Sequence, residues 1–271
     1  MSGVSIDDEK SVLKEMSLMA VIDAYRGWIT ADYFILRLTG VLSKNGDRSD
    51  NTIGHIDADT LGYILSEYSI RRNVAVEGDA RCNLIKKLNS DCMKDILKEG
   101  FNKRAELLCK FSDENRIGER KINSAYSKLT WFLRPEDWTM FDKFVNSAVL
   151  RRNQSNMKEC YENISKFWDE NSSALSKKAS DHKFNPLLGL RVFDKFLFCH
   201  GIGLYGPHHS KEGDAGQMYP ERTRCEIFKS KNVSNLHRRL NLMIDAFPQC
   251  TARRLRDLAE EVCEDLGKIP M

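Results

Sequence analysis

The chain has 271 residues, 41% hydrophobic and 30% charged, which is enough for one large domain or two small ones with a core that needs no disulfide staples. This balance excludes a disordered chain, and no apolar run approaches the roughly 18 residues of a transmembrane helix. Net charge is only +3, but it is unevenly spread. Residues 1–60 hold six Lys/Arg against ten Asp/Glu, whereas residues 221–256 hold nine cations against Glu221, Glu226 and Asp245.

The first residues are acidic and lack the basic-then-apolar plan of a signal peptide. Eight cysteines are scattered singly with no CxxC pair, so they read as reduced thiols of a cytoplasmic protein. Residues 9–25 carry Val12, Leu13, Met16, Met19, Ala20 and Ile22 at helical spacing. Thr60 is read as the cap of a helix through Tyr63, Ile64 and Ile70. Residues 80–110 form two helices broken near Asn89-Ser90. Asn123 or Ser124 opens another, which ends before Pro135. Helices over Phe141–Leu150 and Ser155–Trp168 follow, the latter with Met157, Tyr161, Ile164 and Trp168 on one face. Asn185-Pro186 pairs an N-cap with a proline whose missing N–H costs nothing there, and that helix is expected to end at Gly201. Two closing helices cover about 234–246 and 251–266. Loops are expected at 43–59, 112–122, 171–184 and 201–221, with a short extended piece near Thr223–Phe228. No repeat or heptad run is present. The expected fold is all-α (mainly α): one compact multi-helix domain over 1–271, with at most a short strand pair and residues 1–60 as a candidate N-terminal helical extension.

The most informative segment is Asn123–Leu150, NSAYSKLTWFLRPEDWTMFDKFVNSAVL. It reads as a helix bearing Ser127-Lys128, an aromatic end at Trp131-Phe132, a stop at Pro135, a short loop, and Asp142 opening the next helix. This pattern resembles the core of the helix-hairpin-helix DNA glycosylase superfamily, in particular its 8-oxoguanine DNA glycosylase-like branch. The match covers about 30 residues well. A looser likeness extends to Leu190–Leu197. The resemblance implies that Lys128 falls on the family's lysine and Asp142 on its catalytic aspartate. Two departures stand out. The family's glycine-rich hairpin has no counterpart directly before Lys128, the nearest pair being Ile117-Gly118, and its proline-valine pair before the aspartate is Met140-Phe141 here.

Cleaving an N-glycosidic bond builds positive charge on the sugar. A carboxylate at the site stabilises that charge and orients a water, whereas a lysine attacks the sugar and forms a Schiff base. The target base leaves the stack to be received by aromatic side chains, for which Tyr126, Trp131, Trp138 and Phe141 are the candidates. Arg222, Arg224, Lys229, Lys231, Arg238, Arg239, Arg253, Arg254 and Arg256 are the candidate contacts to DNA phosphates. The expectation is therefore a monomeric DNA N-glycosylase without metal or other cofactor, acting on a flipped base of double-stranded DNA in base excision repair or antiviral defence. The alternative is a catalytically inert helical module binding nucleic acid or protein in a bacterial defence or toxin operon.

Two further patterns carry little weight. Gly201-Ile202-Gly203-Leu204-Tyr205-Gly206 spells GxGxxG, but a helix precedes it where a dinucleotide site needs a strand; it reads as a helix end and turn. Cys199, His200, His208, His209 and Cys225 match no common zinc spacing.

Overall fold

The structure, a computed structural model, describes residues 6–47, 52–68, 70, 78–116, 122–154, 156–206 and 217–269. Of the described residues 76% are helical, and no strand occurs among them. An isolated antiparallel bridge joins Tyr205 and Met218.

Helix α1 (Ile6–Gly27) buries Met16, Met19, Ala20 and Ala24 along one stripe and runs into a π-helical turn, Trp28–Asp32. Helices α2 (Tyr33–Leu38) and α3 (Ala58–Glu67) follow. The cap of α3 is Asp57, whose Oδ1 accepts the Thr60 N–H at 2.8 Å; Thr60, expected as the cap, is buried in the first turn. Next come α4 (Gly78–Leu88), α5 (Asp91–Lys98), α6 (Phe101–Glu114) and α7 (Asn123–Leu133). The break near Asn89-Ser90 lies where the sequence puts it, because Ser90 accepts the Met93 N–H at 3.2 Å and so caps α5. Helices α8 (Lys143–Leu150), α9 (Met157–Asp181), α10 (Pro186–Gly203), α11 (Arg224–Lys229), α12 (Lys231–Ala246) and α13 (Gln249–Gly267) complete the order.

Three boundaries differ clearly from expectation. Helix α9 continues through most of the expected 171–184 loop. Asn171 turns its Nδ2 back onto the Phe167 carbonyl at 2.9 Å, and Leu175 and Ala179 extend the buried stripe. The piece near Thr223–Phe228 is helical rather than extended. Thr223 and Glu226 cap each other's backbone N–H groups in a reciprocal box, a T-x-x-E signature visible in the sequence. Helix α10 runs on to Gly203.

The chain was expected as one domain with residues 1–60 as an extension. The chain divides into two compact units, and the division falls inside that segment, at Arg26/Gly27. Unit 1 comprises Met1–Arg26, Asp142–Asn156 and Asn163–Met271; unit 2 comprises Gly27–Phe141 and Met157–Glu162. Interleaving of this kind depends on long-range packing, which local periodicity cannot report. In unit 1, α10 is buried over most of its length and packs on α8, α11 and α12. In unit 2, α7 is the most buried helix and packs on α6 and α2. All eight cysteines are free thiols. Among the described residues no helix is long and apolar enough to cross a membrane.

Candidate functional site

In unit 2, the loop after α7 is tied down by a dense polar core. The Ser127 hydroxyl accepts the Phe141 N–H at 2.7 Å and lies 2.9 Å from the Tyr161 hydroxyl, while the Ser127 carbonyl accepts the Trp138 Nε1–H at 3.0 Å. Tyr161 in turn donates to the Thr139 carbonyl at 2.6 Å. Arg104, fully buried, donates to the carbonyls of Leu97, Glu99, Arg134 and Glu136, and its guanidinium lies 5.5 Å from the Trp138 ring. Burial, and after it the nearby Arg134 charge, lowers the Arg104 pKa to about 10. A serine, an arginine and a tyrosine thus fix the backbone that leads into Asp142.

The four aromatics expected to receive a base belong to this core. Tyr126, Trp131, Trp138 and Phe141 are each at most 1% exposed. Tyr126 donates to the Asn115 carbonyl at 3.0 Å and meets Phe111 edge-on, Trp131 meets Phe132 edge-on, and Trp138 and Phe141 pack on Tyr161. Their faces and polar atoms are occupied by protein, so as packed here they are structural. Lys128, on the same helix, is half-buried.

Asp142 belongs to unit 1. It is half-buried and caps α8, its Oδ1 accepting the N–H groups of Phe144 at 2.8 Å and Val145 at 2.9 Å. Helix α8 is locked in place from behind. A Cβ on Gly201 would stand 2.0 Å from the Phe144 carbonyl oxygen, so only glycine lets α10 lie backbone-to-backbone against the first turn of α8. A Cβ on Gly189 would stand 2.2 Å from the Leu175 carbonyl of α9, a second crossing of the same kind. The GxGxxG pattern thus serves helix packing, with Gly203 pressed against Ile227 and Val233, and both of its first glycines lie inside α10 rather than at a turn. At the other end of α8, the Asn146 amide binds the carbonyl of Gln154 at 3.1 Å and the N–H of Asn156 at 2.9 Å.

Also in unit 1, a cavity of about 380 Å³ opens between α8, α10 and α12. One wall carries Phe144, Phe198, Ile202 and Tyr205; the other carries Asn232, Asn235, Leu236 and Arg239. Phe144 meets Phe198 and Tyr205 edge-on at 5.4 and 5.7 Å, and Lys143 holds its ammonium 4.2 Å from the Tyr205 ring. The sequence reading missed this site. Its signal is a polar stripe at i, i+3 and i+7 on α12, Asn232–Asn235–Arg239, facing Phe144 of α8 and Phe198 of α10. A second cavity, in unit 2, is lined by Asp95, Glu99 and Glu114 with Lys110 among them.

The nine candidate DNA cations separate by role. Arg222 donates to the Gly203 carbonyl at 2.6 Å and covers the Tyr219 ring at 4.3 Å. Arg254 donates to the carbonyls of His182 and Lys183 at 2.7 and 2.6 Å and covers Phe184. These two hold loops. Arg224 is half-buried, and burial lowers its pKa. Arg256 faces Asp245 at 3.5 Å. Lys229, Lys231, Arg238, Arg239 and Arg253 are exposed.

No group of three His, Cys, Asp or Glu side chains among the described residues is arranged to hold a metal. Cys199, His200 and Cys225 are buried, while Ile117-Gly118, His208 and His209 lie outside the described residues. In comparisons with known proteins, no family model, no curated protein and no solved structure matches this chain.

Proposed function

We propose that the protein is a DNA glycosylase-like hydrolase that releases a damaged or modified base from DNA, in repair or in antiviral defence, with Asp142 as its essential carboxylate. The observation that carries this reading is the setting of Asp142. The residue is half-buried, its carboxylate is oriented by two backbone N–H groups, and it is mounted on a helix pinned from behind by Gly201. A carboxylate aligned in advance stabilises charge as it develops without reorganising during the reaction. In the proposed reaction the bond between sugar and base breaks with its electron pair leaving on the base. Asp142 stabilises the sugar cation and orients the water that attacks it, and that water's proton is released. The exposed cations of α11, α12 and α13 would contact phosphates. Lys128 would act only in a Schiff-base variant of this chemistry.

A second reading, a non-catalytic nucleic-acid-binding module of a defence or toxin operon, is favoured by one observation: Asp142 already serves as a helix cap. Asp142→Asn separates the two readings. Asparagine caps as well as aspartate, so melting temperature stays unchanged in either case. In an enzyme, abasic-site formation on a substrate the wild type cleaves falls on the order of 100-fold or more. Full activity in folded Asp142→Asn excludes the carboxylate mechanism. Lys128→Ala completes the test, since a water-using enzyme retains base release and gives no borohydride-trapped adduct.

A further inference from the structure

We propose that the cavity between α8, α10 and α12 binds a nucleotide, with the base against Phe144 and Phe198 and the phosphate at Arg239. The inference does not depend on the chemistry of Asp142. The volume of about 380 Å³ falls at the small end of ligand sites, suited to one nucleotide-sized molecule. The wall facing α12 carries Phe144 of α8 and Phe198 of α10. The Tyr205 hydroxyl donates to Asn153 Oδ1 at 2.7 Å and lies 2.8 Å from Ser147 Oγ, so this buried phenol is tethered and supports Phe144, which it meets edge-on. Phe198 and Phe144 are only partly covered, leaving ring surface for a planar partner.

The facing wall is polar and periodic. Asn232 donates its Nδ2 to the carbonyls of Ile202 and Tyr205, both at 3.1 Å, which directs its remaining acceptor elsewhere. Asn235, one turn on and exposed, offers a full amide, and an amide pairs donor-and-acceptor with the edge of a base. Arg239, one further turn along, is exposed and presents a guanidinium suited to bidentate phosphate binding. Flat aromatic wall, amides, cation: the order matches base face, base edge and phosphate. A purely apolar ligand leaves Asn235 and Arg239 without a partner, and inorganic phosphate leaves the two open rings unused. A free nucleotide and an unpaired nucleotide of a DNA strand share this chemistry.

The test uses the full chain and two probes, 2-aminopurine riboside 5′-monophosphate and an oligonucleotide carrying one 2-aminopurine opposite a mismatch. Stacking on the aromatic wall quenches the free nucleotide saturably; seating from DNA gives a saturable fluorescence change at the labelled position. A response from either probe supports the proposal, and which one responds identifies the source. Phe198→Leu weakens binding on the order of tenfold. Arg239→Ala weakens the monophosphate on the order of tenfold but leaves the unphosphorylated nucleoside unchanged. Both positions are partly or fully exposed, and melting temperatures check the fold of each variant. No saturable response from either probe overturns the proposal, as does binding that neither variant alters. Because the readout is binding, Asp142→Asn is expected to respond like the wild type, so loss of base release and loss of nucleotide binding are told apart.

Discussion

Two aromatic clusters lie in different units of this chain, and they are built to opposite plans. In unit 2, Tyr126, Trp131, Trp138 and Phe141 are at most 1% exposed, and the tyrosine hydroxyl and the Trp138 indole N–H are each given to a backbone carbonyl nearby. In unit 1, Phe144 and Phe198 keep part of their surface uncovered and face a helix that carries two asparagines and an arginine. Aromatic density along the sequence therefore marks the core, because rings that can satisfy their polar atoms on local backbone seal together. An aromatic stripe opposed by amides and a guanidinium on another helix marks a site.

The sharpest way to break this contrast is to make the same substitution in each cluster. Trp138→Leu removes ring packing against Tyr161 and Arg104 and leaves the Ser127 carbonyl without its indole donor; the expected cost is about 3–5 kcal/mol. Phe198→Leu, at a partly open wall, is expected to cost less than about 1.5 kcal/mol. Urea unfolding followed by circular dichroism measures both. Equal costs would mean that the Phe198 wall is core too, and the distinction would be lost.

How far each cluster was legible follows from the range of the forces involved. Helix existence, the break at Ser90 and the Asn185-Pro186 start are local, fixed by one side chain capping its own backbone, and the sequence shows them directly. Asp142 is legible for the same reason, as the residue that opens α8. Thr223-x-x-Glu226 was equally local, but the β-like composition of Thr223–Phe228 obscured it. What stays hidden is long-range. Nothing near Gly201 in sequence announces that the Phe144 carbonyl lies against it, and nothing near Arg104 announces the carbonyls of Arg134 and Glu136. The cavity needs α10 and α12 aligned face to face, which periodicity gives for each helix but not for the pair. Asn171-Ser172-Ser173 misled in the opposite sense: its polarity suggests a loop, but the buried stripe continues on both sides.

Burial also couples each unit to pH. In unit 1, burial, then the Arg224 charge, pushes His200 down to about 3, with Arg151 adding to the shift. Between about 3 and 6.5 the unfolded chain holds a proton there that the folded chain does not, so stability is lost as pH falls through that window. The slope from this one residue reaches about 1.4 kcal/mol per pH unit. In unit 2, burial raises the Tyr126 phenol to about 12. There the unfolded chain ionises first, so stability is lost as pH rises from the ordinary tyrosine value towards 12. His200→Leu is expected to flatten the acid limb of the stability profile relative to wild type, and Tyr126→Phe the alkaline limb. Parallel acid limbs for wild type and His200→Leu would show that the folded chain protonates His200 as readily as the unfolded chain.

The smallest effect separates cations that hold the fold from cations that would meet DNA. Arg222 and Arg254 carry loop carbonyls at 2.6–2.7 Å and lie over Tyr219 and Phe184, so Arg222→Gln or Arg254→Gln lowers the melting temperature whether or not DNA is present. Reversing Arg253, Arg254 and Arg256 together would confuse the two roles. Lys231, Arg238 and Arg253 are exposed and lie outside the cavity lining. Changing these three to alanine is expected to leave melting within about 0.5 kcal/mol of wild type. If they bind phosphates, DNA affinity falls for all sequences alike, because such interactions position without specifying. The slope of log affinity against log salt flattens by about 0.9 for each phosphate that the variant no longer neutralises. Fluorescence anisotropy on a labelled duplex at several salt concentrations measures the slope. An unchanged slope in the triple alanine variant would mean that these three side chains are a solvated face, and that any DNA affinity arises from other parts of the surface.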